Sequence, residues 1–401
     1  MKVVRNFILI LIGLTAFIKP STGQITKDQL SGKINTVTTA VPFLTIAPDS
    51  RSGGMGDVGV ALSPDANSMH WNPAKYAFVT NDMGVAISYT PWLRKLIPDI
   101  NLAYLSGYKR LDKNQVIGLS LLYFSLGDIN FTNDVGTLTQ TFNPNEFSLD
   151  AAYARSFSDR FSGSLAFRFV YSNLTGGAYV NGVESHPGMA YASDVSIFYQ
   201  NKDLRLRDYD ATFAFGANIS NIGSKISYTQ NSDKDFIPIN LRLGTAFTIQ
   251  FDDYNTLTAS VDVNKLLVPT APVYYNPGDS VDLNGDPVIQ YGFDPNVGVP
   301  VGMFHSFYDA PGGFPEELRE VSIAAGVEWW YAKQFAVRTG FFFEDATKGN
   351  RKYFTVGLGL RMNVFGLDFA YLVPVNGQNS PLANTLRFSL LFNFAGLDGK
   401  K

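Results

Sequence analysis

The sequence predicts an all-β fold: a transmembrane antiparallel barrel of about fourteen strands, with an N-terminal segment folded into it as a plug. Three observations lead there. From position 83 onward, apolar and polar residues alternate with a period of two, the spacing of a strand with one oily face. The connections between these stretches alternate short and long, as periplasmic turns and outer loops do in bacterial barrels. Charged residues make up only 17% of the chain and aromatics 14%, whereas soluble domains carry about 25% charged residues.

In chain order, residues 1–23 have the parts of a secretory signal. Lys2 and Arg5 supply the positive start, 7–18 the apolar core, and Ser21-Thr22-Gly23 the small residues before a cut at Gln24. The apolar run is about a dozen residues, short of the roughly 20 a spanning helix needs. With no cysteine in the chain, disulfides, thiol nucleophiles, thiolate metal sites and a lipid anchor on cysteine are excluded together. The net charge of −3 gives no support for a nucleic-acid partner.

Residues 24–82 are expected to form a lead and the plug. Gly53, Gly54, Gly56 and Gly59 crowd into seven positions, and the stretch closes on Trp71-Asn72-Pro73-Ala74. Glycine lets backbone pass close to backbone, and the prolines forbid one continuous helix. Arg51, Gly53, Gly54, Met55, Gly56, Asp57, Trp71 and Asn72 are the candidates for packing plug against lumen, with Arg51, Asp57 and Asn72 as its polar anchors. Positions 54–59 also match G-x-G-x-x-G, but that pattern has its meaning only after a strand and opening a helix. Here Pro48 and Asp49 precede it and Pro64 follows, so the match is accidental.

Strands are expected near 83–91, 100–109, 116–125, 146–156, 161–172, 190–200, 210–221 and 240–251. The remaining ones fall near 256–263, 321–330, 335–343, 351–360, 364–374 and 385–394. The last is the cleanest: Leu386, Phe388, Leu390, Phe392 and Phe394 alternate with Arg387, Ser389, Leu391 and Asn393. Residues 395–401 form a polar tail. Short connections fall at 110–115, 157–160, 201–209, 252–255, 331–334 and 361–363, and long ones include 126–145, 173–189, 222–239 and 264–320. In hydrocarbon an unpaired backbone group costs several kcal/mol, so the sheet must close. A soluble β-sandwich alternates too, but its connections do not sort by parity and its outer face is more charged. Tyr89, Trp92, Tyr171, Trp329, Trp330 and Tyr371 sit near strand ends, where interfacial girdles form.

The polar face of these strands carries Asp150, Arg168, Asp194, Arg242, Asp262, Glu328, Arg338, Asp368 and Arg387. Facing lipid, each basic one would cost about 2–4 kcal/mol at the midplane, so they are assigned to the lumen. Glu328 and Arg338 stand on neighbouring strands of one hairpin and are placed to pair. A network holding plug to wall is preferred to a permeation pathway.

No constellation of residues in the sequence points to catalysis. Of the three histidines, His70 lies in the plug stretch and His186 and His305 in outer loops. None shares a helical metal spacing with another ligand, and none falls on a strand where it could serve as a base. No cofactor or metal is expected. Asp282-Leu283-Asn284-Gly285-Asp286 resembles a calcium loop but lacks the later bidentate glutamate and reads as a turn. The 264–320 connection is too long to be idle. It carries Tyr274, Tyr275, Phe304, Phe307, Tyr308 and Phe314, with a short helix expected at 315–319. These rings suit contact with a partner protein, or they fold back as a lid.

Two stretches carry a family resemblance: TAVPFLTIAPDSRSGGMGD (39–57) and WNPAKYAF (71–78), followed by SYTPWL (88–93) and INLAYLSGY (100–108). With GGFPEELREV (312–321) they resemble the PorV family of the type IX secretion system of Bacteroidetes. The Arg-x-Gly-Gly-Met-Gly and Trp-Asn-Pro-Ala motifs are shared more widely with barrels similar to the fatty-acid transporter FadL. The resemblance implies a fourteen-stranded FadL-like barrel with a plug in the outer membrane, among its lipids. It also implies partners: the type IX translocon barrel, secreted proteins bearing a type IX C-terminal signal domain, and a PorU-like sortase and attachment complex. It offers no catalytic residue. The alternative is a FadL-like transporter of hydrophobic small molecules.

Overall fold

The computed structural model describes residues 34–93, 99–132, 138–177, 179–180, 183–229, 234–275, 288–375 and 385–394. The chain divides into Met1–Ile34 and Asn35–Lys401, and the barrel and its plug lie within the second. The signal sequence, the first part of the lead, the 282–286 turn and the 395–401 tail fall outside the described residues.

The strands run β1 (Met83–Pro91), β2 (Asn101–Arg110), β3 (Gln115–Ser125), β4 (Ile129–Thr132) and β5 (Leu138–Phe142). Next come β6 (Asn145–Ser156), β7 (Phe161–Asn173), β8 (Tyr179–Val180), β9 (Val183–Glu184) and β10 (Gly188–Leu206). Then follow β11 (Tyr209–Gly223), β12 (Asn240–Gln250), β13 (Asn255–Leu266), β14 (Val273–Tyr274) and β15 (Ile289–Tyr291). The last five are β16 (Ser322–Tyr331), β17 (Phe335–Phe343), β18 (Lys352–Met362), β19 (Phe365–Pro374) and β20 (Leu386–Phe394). Fourteen of them form one closed antiparallel barrel, and β4–β5, β8–β9 and β14–β15 are small hairpins in the long loops. Closure joins β1 to β20 in register from Met83↔Phe394 to Tyr89↔Phe388, which leaves no edge to face lipid. The fold class expected from periodicity is the one observed.

The two faces of each strand differ as hydrocarbon and a filled lumen demand. On β18, Phe354, Val356, Leu358 and Leu360 face out, while Tyr353 and Thr355 are buried. Inward positions are small on strand after strand: Ala152, Ala154, Ala166, Ala192, Ala214, Ala246, Ala324, Ala336 and Ala370 are all buried. Large side chains there would leave no room for a plug.

The structure departs from the sequence expectations in several places. Positions 201–209 are mostly strand, because β10 and β11 run on to a turn at Arg207 (φ 57°). Cross-strand partners Arg205 and Asp210 sit in that extension at 3.3 Å. The hairpins at β4–β5, β8–β9 and β14–β15 were missed, because segments of two to five residues are too short to show a period. The 264–320 connection also holds a helix at Val299–His305, and the expected helix is Phe314–Arg319. Trp330 belongs to no girdle: it shares the inward parity of Glu328, and the Arg338 and Arg361 guanidinium groups lie over its ring. Trp92 packs against the buried cluster at the mouth instead.

Candidate functional site

The lead begins at the loop end of the barrel. A 3-10 turn at Pro42–Thr45 buries Phe43 and Leu44 with Leu102, Tyr104, Phe124, Ile237 and Leu267 in an apolar cluster. Asp49 then caps the turn Ser50–Gly53, accepting Ser52 N at 2.9 Å, and its other oxygen accepts Trp71 Nε1 at 2.6 Å. One carboxylate thereby ties the two ends of the plug. Asn72 caps the 3-10 segment Pro73–Phe78 by accepting Ala74 N at 3.0 Å. Its amide donates to Val60 O at 3.1 Å and to Ile197 O on β10 at 2.9 Å.

Two glycines set how close plug and wall come. Gly56 has φ +73°, a region other residues adopt only with strain, and sits against the Phe341 backbone. A Cβ on Gly340 would lie 2.0 Å from the Met55 carbonyl carbon. Met55 itself is fully buried, and Gly53 and Gly54 lie beside Arg387 and Gly357.

The interior charges form connected runs. Arg51 donates to Glu328 from Nε and Nη2 at 3.0 and 2.8 Å, and to Asp65 from Nη1 at 2.9 Å. Arg338 donates to Glu328 at 2.7 Å and to Asp368 at 2.8 Å, and Arg361 donates to Asp368 at 2.6 Å. Separately, Arg387 donates to Asp57 at 2.6 Å, and Tyr353 donates to the same carboxylate. Arg168 bridges Asp150 at 2.6 Å and Asp194 at 3.2 Å. Asp262 accepts the amides of Gly59 and Val60 at 2.6 and 2.9 Å. Arg242 lies over Trp71, 4.9 Å from its ring centroid, and pairs with no carboxylate among the described residues.

Burial works against the Arg51 charge, but Glu328 and Asp65 more than offset it and hold the guanidinium above its ordinary value. Burial pushes the His70 imidazole well below its usual range, with Arg242, Arg168 and Arg387 adding to the effect, so it is neutral. Burial also lowers Lys75 to about 8, against the pull of Asp65; its ammonium donates to Gly59 O at 2.6 Å.

The second feature is the outer loop. Lys265 donates to Glu317 and Glu320 at 3.0 and 2.7 Å, and Lys348 to Glu316 and Glu320 at 2.7 and 2.9 Å. These buried pairs pin the Phe314–Arg319 helix to the wall. Val297, Val299 and Met303 pack down onto the mouth cluster, so part of the loop is a lid. The rings point elsewhere: Phe304 is 72% exposed and Phe314 71%, and Tyr274, Tyr275, Phe307 and Tyr308 are exposed as well. Burial raises Asp309, at the base of this loop, to about 6, against the bond from Thr270.

Several residues of the seam were missed in the sequence. Asp49, Asp65 and Lys75 lie inside the plug stretch without a distinctive spacing. Arg361 sits in a position expected to be a turn, and its place across from Gly366, two residues from Asp368, comes only with the register. Ser50 and Ser389, with Oγ atoms 3.1 Å apart, carry no signal, since serine is common on both faces.

A family model described as "Type IX secretion system protein PorV" matches residues 29–273, more than half the chain. No curated protein matches. Similar solved structures include the Ralstonia pickettii toluene transporter TbuX, at 11% identity over 87% of this chain and 98% of that one, with a TM-score of 0.47. The Pseudomonas putida toluene transporter TodX covers 90% and 98% at 11% identity and 0.45. A Pseudomonas aeruginosa FadL homologue covers 90% and 99% at 12% identity and 0.43. Likeness at this level says nothing about what the chain binds.

Proposed function

The chain belongs to the PorV family of type IX secretion system proteins, and from that premise we propose that it is a cargo carrier with a closed lumen. Exported by the 1–23 signal and seated in the outer membrane, it receives secreted proteins from the translocon barrel. It recognises their C-terminal signal domains outside the membrane and passes them to the attachment complex containing a PorU-like sortase. Binding and transfer need no catalytic residue in this chain.

The observation that carries the reading is where the large exposed rings lie. Phe304, Phe307, Tyr308 and Phe314 are on a loop beyond the ends of β13 and β16, where lipid does not cover them. Exposed aromatics on a pinned support suit a protein partner. The plug, bonded to β16, β18 and β20 through Glu328, Tyr353 and Arg387, favours work done outside the lumen.

A second reading, transport of hydrophobic small molecules, has one observation in its favour. β10 shifts register between Ser193 and Val195, opposite Asn221 with φ 63°, and such a bulge is where a wall could part. Against it, the Asn221 backbone N–H donates to Asp194 at 2.7 Å, and Arg168 spans both residues. Purification of the tagged protein from outer membranes separates the two. Secreted proteins with C-terminal signal domains should copurify, and deletion should leave them unprocessed in the periplasm. Normal secretion with failed fatty-acid uptake would reverse the assignment.

A further inference from the structure

One buried cation on the seam, Arg242, has no carboxylate within salt-bridge distance among the described residues. Arg242 on β12 is 5% exposed. Its Nη1 donates to His70 O at 3.3 Å, and its Nε reaches Asn240 Oδ1 at 2.8 Å once that amide is turned to satisfy both its ends. Nη2 has no hydrogen-bond partner among the described residues. The neighbouring carboxylate, Asp262, gives one oxygen to the Gly59 and Val60 amides, and the other is buried without a partner.

Arg242 lines a cavity of about 450 Å³ at the barrel mouth, between the lead, the plug and the wall. The other charges around it are already matched. Lys348 is held by Glu316 and Glu320, Arg351 by Glu344 at 2.8 Å, and Asp57 by Arg387. The rest of the lining mixes the threonines Thr36, Thr38 and Thr39 with apolar Val37, Pro42, Leu266 and Phe342, and Thr45 already donates its hydroxyl to Pro42 O at 2.8 Å. Exposed Thr36, Thr38 and Gly349 open it to the outside. A guanidinium with a free nitrogen, facing a cavity that also carries the hydroxyls of Thr36, Thr38 and Thr39, matches the geometry of an oxyanion.

We propose that this cavity binds a small, water-soluble oxyanion, a carboxylate or a phosphate, on Arg242. The bound anion takes up the free guanidinium nitrogen and ties β12 to the lead through Thr36, Thr38 or Thr39.

The test is titration of the full chain in detergent micelles with inorganic phosphate and, separately, with acetate, at constant ionic strength. Calorimetry gives the stoichiometry, and tryptophan emission follows Trp71, which lies under the guanidinium. One-site saturation by either anion is expected, weakened about tenfold or more in Arg242→Gln, the loss of a charge-assisted bond. The exposed Arg160→Gln should bind as the parent does. If Arg242→Gln fails to assemble, Arg242→Lys, which keeps the charge but not the fork, should still bind more weakly. Absence of saturable binding in the parent overturns the proposal, as does unchanged affinity in the Arg242 variant.

Discussion

At the plug seam, Arg51, Glu328, Arg338 and Asp368 face one another with almost nothing exposed. In the outer loop, Lys265, Lys348 and three glutamates are buried just as well, yet the residues they support face water. Both regions use hydrogen-bonded ion pairs, with different results: one fastens an inner segment to the wall, the other holds a surface up. The difference lies in what surrounds the charges. At the seam, glycines and alanines let backbone meet backbone, so the pairs lock two surfaces together. In the loop, the pairs hold the Phe314–Arg319 helix from beneath, and its outer side presents Phe314 to water.

That contrast can be broken from either side. The largest effect should come from Glu328→Ala, which takes the shared partner from Arg51 and Arg338 and leaves each buried with one carboxylate, Asp65 or Asp368. A loss of about 3–5 kcal/mol is expected, read as a lower urea midpoint in micelles and protease cleavage within 48–74, with the outer loop unchanged. Lys75 supplies a pH signature confined to the plug. Its folded value, about 8, lies below its ordinary 10.5, so the folded state releases the proton first. The penalty is fully present below pH 8 and is relieved as pH rises above it, by at most on the order of 3 kcal/mol. Tyr76, whose buried phenol is raised above its ordinary 10.0, opposes this beyond that point. Stability should therefore climb from pH 8 to 10, and Lys75→Met should flatten the climb.

Smaller effects sharpen the other half. Glu320→Ala removes a partner from both Lys265 and Lys348 and should cost about 2 kcal/mol locally. Hydrogen exchange should quicken in 264–320 and stay unchanged in the plug. The double variant Phe304→Ala/Phe307→Ala should leave the urea midpoint within about 0.5 kcal/mol, while recovery of signal-domain proteins with the tagged barrel falls. If that recovery is unaffected, the exposed rings are not the contact.

The barrel was legible because lipid imposes one rule on every strand: Phe388, Leu390 and Phe392 must face out, so Arg387 and Ser389 face in. The inward charges were legible for the same reason. Their partners were not, since register decides whether Asp150 meets Arg168, and register does not appear in a list of residues. Asp57 finding Arg387 spans 330 positions and depends on how the plug turns at Gly56. Trp330 misled because a strand-end tryptophan suits a girdle or an arginine stack equally well. Only its parity with Glu328 decides between them, and that parity was available in the sequence.

The central claim is that the plug stays seated while the outer surface works. The chain has no cysteine, and the Ser50 and Ser389 hydroxyl oxygens are 3.1 Å apart, so Ser50→Cys/Ser389→Cys can bolt the plug to β20. The decisive measurement is secretion of signal-domain cargo by cells carrying this variant, compared with and without reductant. Equal secretion in the bolted and reduced forms is the predicted result. A block that appears on oxidation and lifts on reduction would show that the plug must move.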